Sequence, residues 1–254
     1  MIPKIIHYCW FGSNPMSELE LKCIESWRKG LPDYQIKPWN EYSLDLHEYS
    51  FAWRALQAGK YAFVSDVVRL HALYYEGGIY LDTDMLVLKG FDPLRQHNFF
   101  TGEYKKGALN AAVIGSKKGH PLVGKLLEIY KELEFDYLNP KTIPEVFDEE
   151  VWTFSKESVK IFSPEAFYPL PLENKDENYI PYLSEDSYAV HLWNHSWKDE
   201  FALMKENRFF DSLTLASQHF YSYPQAYRNW KYFNRFRNLY WRNLKRYLKL
   251  KLSE

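Results

Sequence analysis

The stretch Phe63-Val-Ser-Asp-Val-Val-Arg-Leu-His-Ala-Leu-Tyr-Tyr-Glu-Gly-Gly-Ile-Tyr-Leu-Asp-Thr-Asp-Met-Leu-Val-Leu-Lys89 decides how this chain is read. Ser65 is a good helix N-cap, and Asp66 to Glu76 reads as a helix that Gly77-Gly78 ends. Ile79-Tyr-Leu81 is a short apolar strand, interrupted by Asp82-Thr83-Asp84 and resumed by Met85-Leu-Val-Leu88. Residues two apart in a strand face one side, so Asp82 and Asp84 are expected to approach one hard cation together at a strand end. Carboxylates among Ile79, Leu81, Met85 and Val87 are costly to bury unless a charge such as a divalent metal neutralises them. A solvent-exposed turn that holds two acids is the alternative. Asp66 and Arg69, at i and i+3, share a helix face. They are either a surface ion pair worth little, or a sugar-recognition pair: the carboxylate accepts from hydroxyls and the guanidinium donates to hydroxyl or phosphate oxygens.

Working outward, Ile2 to Phe11 reads as a buried first strand that stops at Gly12-Ser-Asn-Pro15. Ser17 to about Lys29 reads as a helix, with Ser17 as N-cap and Glu20 completing a capping box. Tyr34 to Trp39 is a second strand, Asn110 to Gly115 another, and Pro121 to Leu133 a helix, whereas Tyr137 to Glu150 looks like an acidic loop. Ser187 to Trp193 reads as a strand that runs into Asn194-His-Ser-Trp197. The alternation is that of an α/β domain with a nucleotide-sized crevice at its strand ends.

The 254 residues suffice for one large domain with its own core, and 19% aromatic content excludes disorder for most of the chain. Two cysteines, Cys9 and Cys23, build neither a disulfide framework nor a four-thiol zinc site, and they suit a reducing compartment. No signal-peptide pattern and no apolar run of about 20 residues is present, so a cytoplasmic chain that does not span a membrane is expected.

The net charge of -1 conceals an asymmetry, because residues 225–254 carry nine basic side chains and one acid, which leaves -9 on the other 224 residues. On a helical wheel Phe233, Phe236, Tyr240, Trp241, Leu244, Tyr247 and Leu248 share one arc, and most of the Lys and Arg fall beside it. That pattern suits either an interfacial helix on an anionic bilayer or a helix packed on the body with a solvated basic face. Nucleic acid is not an expected partner, because the body is acidic. The expected organisation is a catalytic domain over 1–224 and a basic aromatic helix over 225–254.

The segment 63–89, with the opening Ile2-Pro-Lys-Ile-Ile-His-Tyr-Cys-Trp-Phe-Gly12, resembles the DXD-motif glycosyltransferases of family 32, and similar motifs occur in the glucosyltransferase domains of large clostridial toxins. The resemblance covers residues 2 to 116 and returns at Ala189 to Lys198. It implies a GT-A type nucleotide-diphospho-sugar transferase fold, a Rossmann-like mixed α/β sheet flanked by helices. It implies that Trp10 flanks the base, Tyr80 sits beside the nucleotide, Asp66 and Arg69 grip the donor sugar, and Asn110 lines the sugar pocket. Asp84 would be the main metal ligand, Asp82 would contact the ribose or reach the metal through water, and His191 or His195 would complete the set. Ser196 and Trp197 would close over the phosphates. Pro140 to Pro144 departs from the family's Gly-Pro element on the acceptor side.

The implied reaction is transfer with retention from a nucleotide-sugar donor to a saccharide, by a front-face route in preference to double displacement. Mn²⁺ or Mg²⁺ suits oxygen ligands with at most one histidine. The donor expected is a UDP-hexose or UDP-N-acetylhexosamine rather than GDP-mannose, and the acceptor a lipid-linked oligosaccharide of surface or capsular polysaccharide at the inner face of the membrane. Two other readings stand beside it: a membrane-surface binding module without catalysis, and an aspartyl-phosphate phosphatase, which expects Gly-Thr after its second Asp where this chain has Met85-Leu.

Overall fold

The computed structural model describes residues 1–155, 157–194 and 199–252. The first half of the chain runs β1 (Ile5–Cys9), α1 (Glu18–Gly30), β2 (Gln35–Trp39), α2 (Ser50–Gln57), α3 (Tyr61–Tyr75), β3 (Gly78–Leu81), β4 (Met85–Val87), β5 (Phe99–Lys105) and β6 (Ala108–Ser116). The second half continues through α4 (Pro121–Glu132), α5 (Ile143–Val151), β7 (Lys160–Phe162), α6 (Pro164–Phe167), β8 (Ala189–His191), α7 (Glu200–Lys205), α8 (Phe209–Ser222), α9 (Pro224–Tyr227) and α10 (Trp230–Leu252).

Six strands form a mixed sheet in the order β2-β1-β3-β6-β5-β7, and β4 pairs antiparallel with β8 in a separate ribbon. β1 lies between parallel β2 and β3, so the three strands end on one edge of the sheet, the edge that carries Trp10 and Asp82. Period-two alternation divides the core: Ile79 and Leu81 face the cluster under α1, β4 and α6, while Tyr80 faces the cluster under α2, α3, α4 and α5. Gly77 and Gly78, at φ of 70° and 114°, let β3 begin with only Glu76 and Gly77 between it and α3. A Cβ on Gly78 would lie 2.7 Å from the Ile5 carbonyl oxygen, so β1 and β3 could not pair as they do with any other residue there.

Three local expectations are corrected. Ser65 caps nothing: α3 begins at Tyr61, and the Ser65 hydroxyl instead donates to the Tyr61 carbonyl one turn back. Leu81 and Met85 do not belong to one interrupted strand, because the chain turns at Asp82, with Met85 N–H donating to the Asp82 carbonyl, and passes from the main sheet to the ribbon. The supposed loop after Tyr137 contains α5, started by a Thr142/Glu145 capping box. The corresponding box at Ser17/Glu20 is present as expected.

The tail is helical over Trp230–Leu252. Tyr232 is buried, its ring and that of Phe236 lie against Phe201 of α7, and Tyr240 and Tyr247 meet Phe209 of α8. No described helix is long and apolar enough to cross a membrane.

Candidate active site

The turn that ends β3 splits its two carboxylates. Asp82 faces the α3 side, where it accepts from the Tyr80 hydroxyl (2.8 Å) and lies 3.4 Å from the Arg69 guanidinium. Asp84 faces the ribbon, where β8 places His191 opposite Met85 and sets its Nε2 3.0 Å from the Asp84 carboxylate. The expected strand geometry, with both acids on one side, is therefore replaced by a turn. Even so, one ligand atom from each of Asp82, Asp84 and His191 lies within 4.8 Å of the others. The group combines two oxygens and an imidazole nitrogen, the donor set of a hard or borderline cation. Asp82 keeps about a third of its side chain exposed, at 31%, and gives the group its opening to solvent. His191 Nδ1 is buried with no hydrogen-bond partner, which leaves a nitrogen of the ring available to a ligand.

The charges fit this arrangement. Burial works to raise the Asp84 carboxyl, but the His191 charge and hydrogen bond and the Asn194 N–H outweigh it and hold the group below its ordinary range. Burial likewise works to lower His191, and Asp84 overcomes it, so the imidazole is raised. The loop after β8 is shaped to supply that N–H. Trp193 adopts a left-handed φ of 53°, with its ring packed edge-on to His191 and its indole donating to the Leu170 carbonyl, and Asn194 N–H thereby reaches Asp84 at 2.8 Å. A bulky residue in that backbone region is strained and is held only because its surroundings over-determine it.

Arg69 is the hub beside the acids. Its guanidinium meets Asp66 at 3.2 Å, donates to the Ala111 carbonyl at 2.9 Å, and lies over the Tyr80 ring. Asp66 also accepts from Ile143 N–H at the start of α5. Burial pushes the Asp66 carboxyl up to about 7 against the pull of Arg69, with Asp82 adding to the rise. These two residues are thus buried and cross-linked, and the reading of them as a surface ion pair is corrected. Tyr80 is buried beneath Arg69. Asn110 turns its side-chain oxygen to Ala112 N–H, while its carbonyl accepts from Thr101. Trp10, half-buried at the carboxyl end of β1, donates from its indole to the Asn14 carbonyl. His195, Ser196 and Trp197 lie outside the described residues.

Two participants were not singled out as site residues. Glu20, buried beneath the start of α1, accepts both from Ser17 N–H and from the Asn194 amide, and so ties α1 to the loop that feeds Asp84. Its capping pattern was legible, but its second partner, 174 residues away, was not. Tyr168 sets its ring against those of His191 and Trp193. No local pattern marks it.

Residues 17–101 match the family described as glycosyltransferase sugar-binding region containing DXD motif, and residues 115–219 match the alpha 1,4-glycosyltransferase conserved region. The chain carries the DXD glycosyltransferase sugar-binding region. This DXD region holds Asp66, Arg69, Tyr80, Asp82 and Asp84, the second match holds His191, and Trp10 and Asn110 fall outside both. Similar proteins include inositol phosphoceramide mannosyltransferase 3 of Schizosaccharomyces pombe, 30% identical over 55% of this chain and 40% of its own length. Human lactosylceramide 4-alpha-galactosyltransferase is 28% identical over 64% of this chain and 52% of its own length. The chain thus spans about half the length of these curated relatives. A glycosyltransferase of Acanthamoeba polyphaga mimivirus is 27% identical over 82% of this chain and 90% of its own length. The solved PaToxG glycosyltransferase shares the fold at a TM-score of 0.50, with 23% identity over 60% of this chain and 68% of that one. The architecture is of the GT-A type.

Proposed function

We propose that the chain is a metal-dependent, retaining glycosyltransferase that moves a hexose or N-acetylhexosamine from a UDP-sugar to a saccharide carried on a lipid. The observation that carries this reading is the Asp82, Asp84 and His191 group with its orphaned His191 Nδ1, at the carboxyl edge of a nucleotide-type sheet. Asp84 and His191 would hold Mn²⁺ or Mg²⁺, with Asp82 contacting it directly or through water. When bound, such a cation neutralises the charge that develops on a departing nucleoside diphosphate.

The chain's own residues do the rest. Trp10 offers an aromatic face for the base at the end of β1, and Asn110 stands at the sugar side. Tyr80 and Arg69 fix the Asp82 carboxylate in place, so little reorganisation is required when donor arrives. Asp66 and Arg69 address the donor's hydroxyls, with Asp66 held by Ile143 N–H. Ser196 and Trp197 are assigned to the phosphates. Retention is favoured by a front-face route, in which the leaving phosphate takes the acceptor proton. The name of the galactosyltransferase relative specifies an alpha product, which agrees with a retained linkage.

The relatives are named for ceramide lipids, which supports a lipid-borne acceptor. A surface or capsular polysaccharide intermediate at the cytoplasmic face of a membrane fits, with residues 225–254 attaching the 1–224 transferase domain to that face. The experiment is release of nucleoside diphosphate from a panel of UDP- and GDP-sugars, with and without Mn²⁺, beside Asp84→Asn. Metal-dependent turnover of one donor, lowered about 10²–10³-fold in the variant, is expected. Turnover of no donor, or equal turnover in the variant, would reject the proposal.

A further inference from the structure

We propose that α8 joins α10 in a single two-helix surface that docks on an anionic lipid bilayer. This rests on the attachment part of the proposed function and deepens it, since the tail alone was assigned to lipid there; it does not depend on the transfer chemistry. The arc of aromatic residues on α10 divides in two. Its inner part, Phe236, Tyr240 and Tyr247, is used against α7 and α8. The outer part, Phe233, Trp241 and Leu248, remains exposed.

α8 repeats the pattern although its sequence is not basic. Ser212 and His219 face inward, donating to the backbone and side chain of Glu200 on α7. At about 100° per residue, Phe210 and Tyr221 fall on the opposite arc, with Leu213 and Phe220 on the flank beside it. All four are exposed, Phe210 at 81% and Tyr221 at 72%.

Both strips lie away from α7. The chain reverses through α9, and Phe209, the first residue of α8, meets Tyr240 and Tyr247 of α10. α7 lies on the inner side of both helices, held by Ser212 and His219 from α8 and by Tyr232 from α10. On each helix the residues that meet α7 lie on a different arc of the wheel from the exposed ones, so both exposed strips turn away from α7. The buried Glu200, bonded to both His219 and Tyr232, ties the two helices to one residue of α7.

Charge selects the occupant. Residues 209–252 hold nine Lys and Arg against one acid, Asp211, which is itself paired with Arg208. Cations also sit within the aromatic strips: Arg228 lies over Phe220 and Arg237 over Phe233. An apolar strip at acyl depth, with cations at headgroup level, is the requirement of an anionic interface, each Lys or Arg near it contributing about 1 kcal/mol. A second copy of the same surface would bring two strongly basic faces together and be repelled.

The test is co-sedimentation of the full chain with phosphatidylcholine vesicles, with and without phosphatidylserine, in the absence of nucleotide. Wild type should bind at least about tenfold more tightly to the anionic vesicles. The α8 pair Phe210→Ser/Tyr221→Ser, with α10 intact, should weaken that binding about tenfold, and so should Lys245→Gln/Lys249→Gln on α10. All these side chains are exposed, and unchanged circular-dichroism melts check the fold. If the α8 pair binds like wild type while the α10 pair does not, α8 is outside the surface and attachment is by the tail alone. If wild type binds no anionic vesicle, or binds neutral ones equally, the lipid assignment is overturned for both helices. A concentration-dependent dimer that the α8 pair abolishes, without vesicle binding, would assign the face to a second copy.

Discussion

Two of the places where the described residues bury charge differ in how completely it is satisfied. Under α8 and α10, Glu200 is fully enclosed and both its oxygens are used, one by the Tyr232 hydroxyl (2.9 Å) and one by His219 Nδ1 (3.0 Å). At the sheet edge, Asp82 is partly open and His191 Nδ1 has no partner. A closed network acts as a fastening, whereas one that reaches solvent and leaves a ligand-type nitrogen unmatched has room for the cation proposed above. The contrast separates two clusters that look alike in composition, each an acid and a histidine among aromatic rings.

The comparison is broken most forcefully at the fastening. Glu200→Ala leaves the Tyr232 hydroxyl and His219 without their acceptor, and should cost about 3–5 kcal/mol in urea unfolding. A loss comparable to that of an exposed ion pair would show that α10 is not held through Glu200.

A pH titration of stability sharpens the same contrast by sign. Burial works to raise Glu200, but the His219 hydrogen bond with the Lys60 and His219 charges outweigh it, so its folded value lies below the unfolded one. Its contribution is complete above the unfolded carboxylate value and is lost as pH falls through the folded value. Asp66 is the opposite case: with a folded value of about 7, the folded state holds a proton that the unfolded state releases. Stability should therefore decline as pH rises from about 4 to 7, and Asp66→Asn should remove that decline while Glu200→Gln removes the acid-side loss. Parallel pH profiles for wild type and Asp66→Asn across that range would contradict the assignment.

A smaller effect concerns the cap that carries Asp66's partner. Glu145→Ala breaks the box that starts α5 and should cost about 1 kcal/mol in thermal unfolding, loosening Ile143 N–H from Asp66. An unchanged melt would mean that α5 is positioned by its apolar residues alone.

How much of this was legible from the chain varies with the range of the interactions. The strands around Tyr80, the Gly77-Gly78 break and the Ser17/Glu20 box are local patterns, and they lie where periodicity and capping chemistry put them. The transfer of Met85 to a second sheet was not legible, because the pairing of β4 with β8 spans about a hundred residues and an apolar triplet looks the same in either sheet. Ser65 misled because a serine inside a helix can bond back to a carbonyl as readily as cap. The acids and His191 were singled out as residues, yet their divergence across a turn, and the strained Trp193 that aims Asn194 at Asp84, exist only in three dimensions. Glu200 carried no local signal at all: its partners lie 19 and 32 residues on.

The most direct test is calorimetric titration of Mn²⁺ into the full chain with UDP present, for wild type, Asp84→Asn and Glu200→Gln. One metal site that is lost in Asp84→Asn and kept in Glu200→Gln is the predicted result. Equal binding by wild type and Asp84→Asn would contradict the account, since the open acidic group at the sheet edge would then hold no cation.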